Sequence, residues 1–419
     1  METEARAGEV SVAERAFDHL LASAHTAAAH ELPQLIAESV AILGAADAQA
    51  YLVDLQQSTL VPFVDGHRPN ADVSVEPLGI DATVAGRAYQ LVQVATQPNG
   101  NGSTRVWLPL IDGTERLGVL AVSLREGQSD GLDGLLGTRL RRLAALVAEI
   151  VVTKTAYSDT IVRVRRRAEM GLAAELQWSL LPPLTFAGAG VTVAGSLEPA
   201  YEVAGDTLDY AVDAGHASAA VFDGMGHGVR SGQLATVAVA AYRNARRSGA
   251  GLVAATTSIH EALLAAFQGV VFTTATLVDL DTDTGVLSWI NAGHPHPLLL
   301  RDNRLVKTLT CPPAPPLGLR LPPDVTRSAF TACQERLEPG DQVLLYTDGV
   351  TEARSPDGEF FGEQRLADLL SRNLAARLPM PETMRRVVRA LLEHQQGQLT
   401  DDATLLLIEW RGNPQSMLP

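Results

Sequence analysis

The chain has 419 residues, 46% of them hydrophobic and 19% charged, a composition ordinary for a folded globular protein and long enough for two or three domains. Its 33 basic and 48 acidic side chains leave a net charge of −15, which repels phosphate backbones and argues against nucleic acid as a partner. Two cysteines, Cys311 and Cys333, argue against a disulfide framework and a thiolate zinc site and suit a reducing cytosol; the acidic N-terminus is no signal peptide and the apolar run 143–152 is far short of the ~20 residues that span a bilayer, so a cytoplasmic protein without membrane contact is expected.

Apolar residues recur at three- and four-residue spacing through 11–43 (Phe17, Leu20, Leu21, then Leu35, Ile36, Val40 and Leu43), which predicts helix. Residues 48–55 and 59–64 read as short strands, and a helix follows near 84–92. Two clearer strands, 104–111 and 116–124, are joined by Asp112-Gly113-Thr114-Glu115, a hairpin signal. Together these predict a small α+β domain with an antiparallel sheet over 11–154. Residues 136–181 predict one or two long helices, with 155–183 as a helical linker. Ile161, Val164, Ala168, Leu172, Leu176 and Leu180 form its apolar stripe, four arginines (163, 165, 166, 167) flank it, and Pro182-Pro183 ends it. Such a stripe packs on its own domain or pairs with a second copy as a coiled coil.

From Val191 the pattern turns strand-rich, at 191–199, 202–212, 217–223, 272–281, 286–293, 296–302, 341–347 and 403–410. Helices are predicted at 231–247, 252–267, 363–374 and 381–395, and Asp281-Thr282-Asp283-Thr284-Gly285 as a turn. This predicts two packed antiparallel sheets covered by helices over 184–411. The proline-rich stretch 312–323 reads as an ordered loop and 412–419 as a frayed tail.

Asp-Gly recurs at 65–66, 112–113, 130–131, 133–134, 223–224, 348–349 and 357–358, and most such pairs are simply turns. Two differ. Asp223 ends the apolar run 219–222 and leads into Gly-Met-Gly-His-Gly and a helix; Asp348 ends the apolar run 343–346 after one threonine. In both, a buried strand delivers a carboxylate to the rim of a core, where desolvation is costly unless a cation or a hydrogen-bond network compensates. The adjoining glycine lets the backbone come close to whatever binds. Asp206, with Asp209 three residues on, and Asp401-Asp402 before the last strand fit the same pattern. Adjacent carboxylates repel without a cation nearby, although a solvated turn also accounts for Asp401-Asp402. Hard oxygen ligands without cysteines suit magnesium or manganese, and two such ions ~3.5–4 Å apart can activate water for attack on phosphorus. Spacing alone does not show that these residues converge. The glycine loop 224–228, between a strand and a helix, also invites a nucleotide-binding reading. It departs from G-x-G-x-x-G, because Val229 holds the last position, and it lacks the Gly-Lys-Ser/Thr of a P-loop.

Eight segments, in order, resemble the SpoIIE/RsbU-type branch of the metal-dependent (PPM) serine/threonine protein phosphatases: LQWSLLP (176–182), VAGDTLDY (203–210), DGMGHG (223–228), FTTAT (272–276), NAGHPHPLLL (291–300), PLGL (316–319), YTDGVTEA (346–353) and DDATLL (401–406). The resemblance covers about 176–411 and implies an αββα sandwich. It implies catalytic Asp206, Asp223 and Asp348, and two Mn2+ or Mg2+ ions among Asp206, Asp223, the carbonyl of Gly224, Asp348, Asp401 and the neighbouring Asp402. Asp223 would bridge both ions, with Asp348 and Asp401 on the second. Water would be the nucleophile, with no phosphoenzyme. The implied substrate is a phosphorylated protein, a STAS-type anti-sigma-factor antagonist. Ala204, Thr207-Leu208 and Ser231-Gly232 depart from the family pattern without removing an acidic residue. His227 and His294 are candidates to protonate the leaving serine; their plainer roles are to order a glycine loop and a turn. Residues 81–89 and 105–122 resemble GAF sensor domains, implying a regulatory unit that binds a small molecule or dimerises, and thus a homodimer. No cysteine lies in 1–160, so a thiolate-held group there is excluded. The alternative is a signal-sensing scaffold with a catalytically silent phosphatase fold.

Overall fold

The computed structural model describes residues 11–64, 76–99, 102–128, 132, 134–199, 201, 205–320, 322, 329–397 and 399–412. The Asp-Gly turns at 65–66 and 130–131, Asp133, the departure at Ala204, the end of the proline-rich loop and the tail after Gly412 lie outside these residues. The chain divides into two compact units, Met1–Arg167 and Ala168–Pro419.

In the first unit Ser11 opens α1 (Val12–Thr26): its hydroxyl accepts the Glu14 N–H and Glu14 accepts the Ser11 N–H, a capping box. α2 (Leu32–Ile42) follows after a 3-10 turn. β1 (Asp47–Val53), β2 (Thr59–Pro62), β3 (Leu78–Gly79), β4 (Ala95–Pro98), β5 (Thr104–Asp112) and β6 (Glu115–Leu124) form an antiparallel sheet in the order β3-β2-β1-β6-β5-β4. Its faces follow from strand alternation. Ala50 and Leu52 join a core with α1, α2 and α4 (Leu135–Thr155), while Tyr51 and Val53 pack with α3 (Val84–Leu91) and Trp107.

The helical stretch 136–181 is broken, contrary to expectation. Ser158, whose hydroxyl accepts the Thr160 N–H, caps a separate α5 (Asp159–Arg165), and Gly171 precedes α6 (Leu172–Leu180). The expected stripe therefore belongs to two helices in two units. Ile161 is buried within the first unit's core, whereas α6 buries Ala173, Ala174 and Gln177 and exposes Leu172.

The second unit has two sheets. β9 (Asp206–Asp213), β10 (His216–Gly224), β11 (Thr273–Asp281), β12 (Val286–Ala292) and β15 (Cys333–Arg336) run in the order β15-β12-β11-β10-β9. β7 (Thr185–Ala187), β8 (Val191–Glu198), β13 (Leu298–Arg301), β14 (Arg304–Thr308), β16 (Gln342–Tyr346) and β17 (Ala403–Trp410) run as β14-β13-β16-β17-β8-β7. Val193, Leu208, Val221, Val278, Val343, Leu345, Leu406 and Ile408 fill the space between the sheets. α7 (Val229–Arg247) and α8 (Leu252–Phe267) cover the outer face of the first sheet through Leu234, Tyr242, Ile259 and Leu263. A four-residue α9 (Asp348–Thr351) follows β16, and α10 (Glu363–Ala375) and α11 (Met380–His394) cover the second sheet through Leu366, Leu370, Val387 and Leu391. The layering is the expected αββα. The cysteine count argues against a disulfide framework and suits a reducing cytosol, yet Cys311 and Cys333 form one disulfide, which closes the loop between β14 and β15. Within that loop, Leu317 exchanges backbone hydrogen bonds with Thr273.

Candidate metal centre

The alternation that builds the inter-sheet core also delivers the acidic residues. On β10, Ala217, Ala219 and Val221 point between the sheets, so Asp223 continues that row; on β9, Tyr210 and Leu208 do the same and Asp206 continues it. The two aspartates are register partners at the ends of adjacent strands. From the second sheet, β16 passes through buried Thr347 into Asp348, the first residue of α9, and Asp401-Asp402 precedes β17. Asp206 and Asp402 are buried, Asp223 and Asp348 half-buried, and Asp401 exposed.

Hydrogen bonds tie the two sheets together here. The Thr347 hydroxyl donates to Asp206 Oδ2 (2.6 Å) and accepts the Thr404 N–H (2.9 Å). Asp402 Oδ2 accepts the N–H of Gly205 (2.7 Å) and of Asp206 (3.1 Å). Gln177 on α6 donates to the Asp206 carbonyl (2.6 Å). Thr274 donates to Asp223 Oδ2 (3.4 Å), and Thr273 to the Asp223 carbonyl (2.7 Å). A Cβ on Gly205 would stand 2.2 Å from the Gly224 carbonyl oxygen, so only glycine permits that approach. Thr347, Gln177 and Thr274 had no assigned role from sequence. For Thr347 a signal exists: it continues the inward row of Val343 and Leu345, where a polar residue needs a buried partner.

Asp209, left without a role by its sequence, belongs elsewhere. It faces α7, where it accepts hydrogen bonds from Arg243 (2.6 and 2.9 Å) and Arg246. Of the two histidines, His294 sits in a hydrogen-bonded turn. His227 lies exposed in the glycine loop, where Gly226 and Gly228 have φ of +93 and +79°. The His294 turn is locked by Asn291, which donates to the His294 carbonyl (2.6 Å) and accepts its N–H (3.0 Å). Its Nδ1 lies 2.8 Å from the Thr274 hydroxyl. Burial pushes the imidazole down to about 3, which leaves it neutral and unsuited to donate a proton to a leaving group.

Burial, then the charges of Asp223 and Asp402, holds Asp206 well above the usual carboxylate range. Burial, then Asp348, Asp401 and Asp402, pushes Asp223 up to about 7. Asp348 is raised by burial, Asp401 and Glu352. The fold thus holds carboxylates together at an electrostatic cost that a divalent cation would reverse, and the all-oxygen donor set fits a hard cation such as Mg2+ or Mn2+. Among the described residues no three acidic, histidine or cysteine side chains stand close enough together to chelate one ion; the carboxylates face one another at Coulombic range.

Residues 213–411 match the family model described as Stage II sporulation protein E (SpoIIE). That match contains Asp223, Asp348, Asp401 and Asp402, while Asp206 precedes it. The chain is similar to protein IcfG of Synechocystis (35% identical over 130 residues, 31% of this chain) and spans only 19% of that relative's length. It is also similar to phosphoserine phosphatase RsbU of Bacillus subtilis, at 23% identity over 58% of this chain and 70% of RsbU. Among solved structures, the SiaA-PP2C domain of Pseudomonas aeruginosa aligns with a TM-score of 0.47 at 24% identity, over 57% of this chain and 94% of that domain. The match to the SpoIIE model bears out the resemblance for the six segments that lie within residues 213–411.

Proposed function

We propose that the second unit is a metal-dependent protein serine/threonine phosphatase, a phosphate monoester hydrolase that takes two Mn2+ or Mg2+ ions. The observation that carries this reading is the meeting of acidic turns from both sheets at one end of the sandwich, where every charge bearing on Asp206, Asp223 and Asp348 is itself acidic. Asp206, Asp223, Asp348, Asp401 and the Gly224 carbonyl would hold the cations. When bound, such ions neutralise phosphoryl oxygens and lower the pKa of a water that attacks phosphorus. The chain itself fixes the carboxylates in advance: Thr347 orients Asp206, Thr274 reaches Asp223 and Gln177 holds the Asp206 backbone. Met225 and Val229, apolar and exposed beside this turn, suit contact with a protein rather than a small substrate.

The relationship to RsbU and the matched motifs support a phosphorylated STAS-type anti-sigma-factor antagonist as substrate. The first unit would act as a GAF-like regulator, in a cytoplasmic homodimer. Wild-type protein should release phosphate from a serine-phosphorylated STAS protein with Mn2+ and stop in EDTA, and Asp223→Asn should lose activity by about two orders of magnitude. Metal-independent release, equal in wild type and variant, overturns the assignment. One observation favours the second reading, a sensing scaffold with a silent phosphatase fold: no three described carboxylates lie at chelating distance. Calorimetry that detects no Mn2+ binding to the folded protein selects that reading.

A further inference from the structure

We propose that Asp402 is a positioning residue, which sets the spacing of the acidic turns rather than holding a cation itself. The cation part of this statement rests on the function proposed above; the hydrogen-bonding part stands without it.

Alternation separates the two neighbouring acids. Ile408 and Leu406 point between the sheets, as does the row that Thr404 and Asp402 continue, while Leu407, Leu405 and Ala403 point to the helices, the row that leads to Asp401. Asp402 is accordingly buried and Asp401 exposed. The Asp402 side chain crosses to the other sheet, where one oxygen accepts two amides, those of Gly205 (2.7 Å) and Asp206 (3.1 Å), from residues 197 and 196 positions away. An oxygen that already accepts two N–H groups has its lone pairs engaged.

The backbone of Asp402 makes the second half of the contact. A Cβ on Gly349 would stand 1.9 Å from the Asp402 carbonyl oxygen, so the α9 turn that begins with Asp348 lies directly against residue 402. One residue therefore touches the Asp206 strand with its side chain and the Asp348 turn with its main chain. It fixes the distance between two acids that belong to different sheets. Glycine at 349 permits this backbone approach.

The test compares Asp402→Asn, Asp402→Ala and Asp348→Asn in the full chain. The readouts are amide exchange at Gly205 and Asp206 in metal-free protein and Mn2+ affinity by calorimetry. Asparagine keeps an acceptor oxygen in place, so Asp402→Asn should retain amide protection and hold Mn2+ affinity within about threefold. Asp402→Ala should lose protection and affinity by about tenfold or more, and Asp348→Asn should lose affinity alone. The proposal is overturned if Asp402→Asn loses as much Mn2+ affinity as Asp348→Asn with protection at 205 and 206 unchanged. Should Asp402→Ala fail to fold, that same comparison between the two asparagine variants decides. If wild type binds no Mn2+, the proposed function fails, and exchange alone judges Asp402: protection lost with alanine and kept with asparagine supports it, and protection unchanged in both overturns it.

Discussion

Asp206 and Asp209 lie three residues apart on one strand and do opposite things. Strand alternation turns Asp206 inward, toward Asp223, and Asp209 outward, onto Arg243 and Arg246 of α7. Asp209 is almost fully buried with its two guanidinium partners partly exposed, so its neutralisation comes from the chain and no ion is needed. Removing the buried partner leaves two arginines that can reach solvent, so Asp209→Ala should cost about 2 kcal/mol, below the usual range for a broken buried pair. Thermal unfolding should register that loss while Mn2+ affinity stays within about threefold. A large drop in affinity at unchanged stability would instead bring Asp209 into the metal centre.

At the scale of elements, the site is a junction between two sheets. Thr347 serves both, donating to Asp206 and accepting from Thr404. Thr347→Val removes the donor and acceptor at nearly constant volume and leaves the Thr404 N–H without its acceptor, which should cost about 1–2 kcal/mol. Mn2+ affinity should fall about tenfold as Asp206 loses its fixed rotamer; unchanged affinity would show that Asp206 needs no such support. Much of this architecture is legible in sequence. The long strands announce themselves by apolar runs, and β8, α8 and β17 have the predicted bounds to within a residue. The short strands β3, β4, β7, β14 and β15 escape because they are brief and lie at or next to sheet edges, where Cys-Gln-Glu-Arg or Arg-Leu-Val-Lys-Thr gives little apolar signal. Asp223 and Asp348 are legible as carboxylates that end apolar strands. The roles of Thr347, Gln177 and Thr274 are not, because their partners lie 141, 29 and 51 residues away and only tertiary pairing joins them.

The whole molecule comprises two compact units, and all the acidic residues of the candidate metal centre belong to the second. Two cooperative unfolding transitions are therefore expected. Mn2+ at about a hundred times its dissociation constant should raise the stability of the second unit by about 2.7 kcal/mol and leave the other transition where it was. A shift of both transitions together would mean that the two units unfold as one. No helix among the described residues is long and apolar enough to cross a membrane.

The pairing of Asp206 with Asp223 across β9 and β10 has a consequence for folding. A slip of one residue between those strands would turn Asp206 to the helix side and Asp209 to the interior. Such a molecule would retain nearly all its strands and helices, and circular dichroism would not distinguish it from the native one. It would nonetheless present a lone carboxylate where two should meet. The acidic centre is thus also a register mark, and under the proposed function the cation capacity of a preparation should count the molecules whose strands have found their proper alignment.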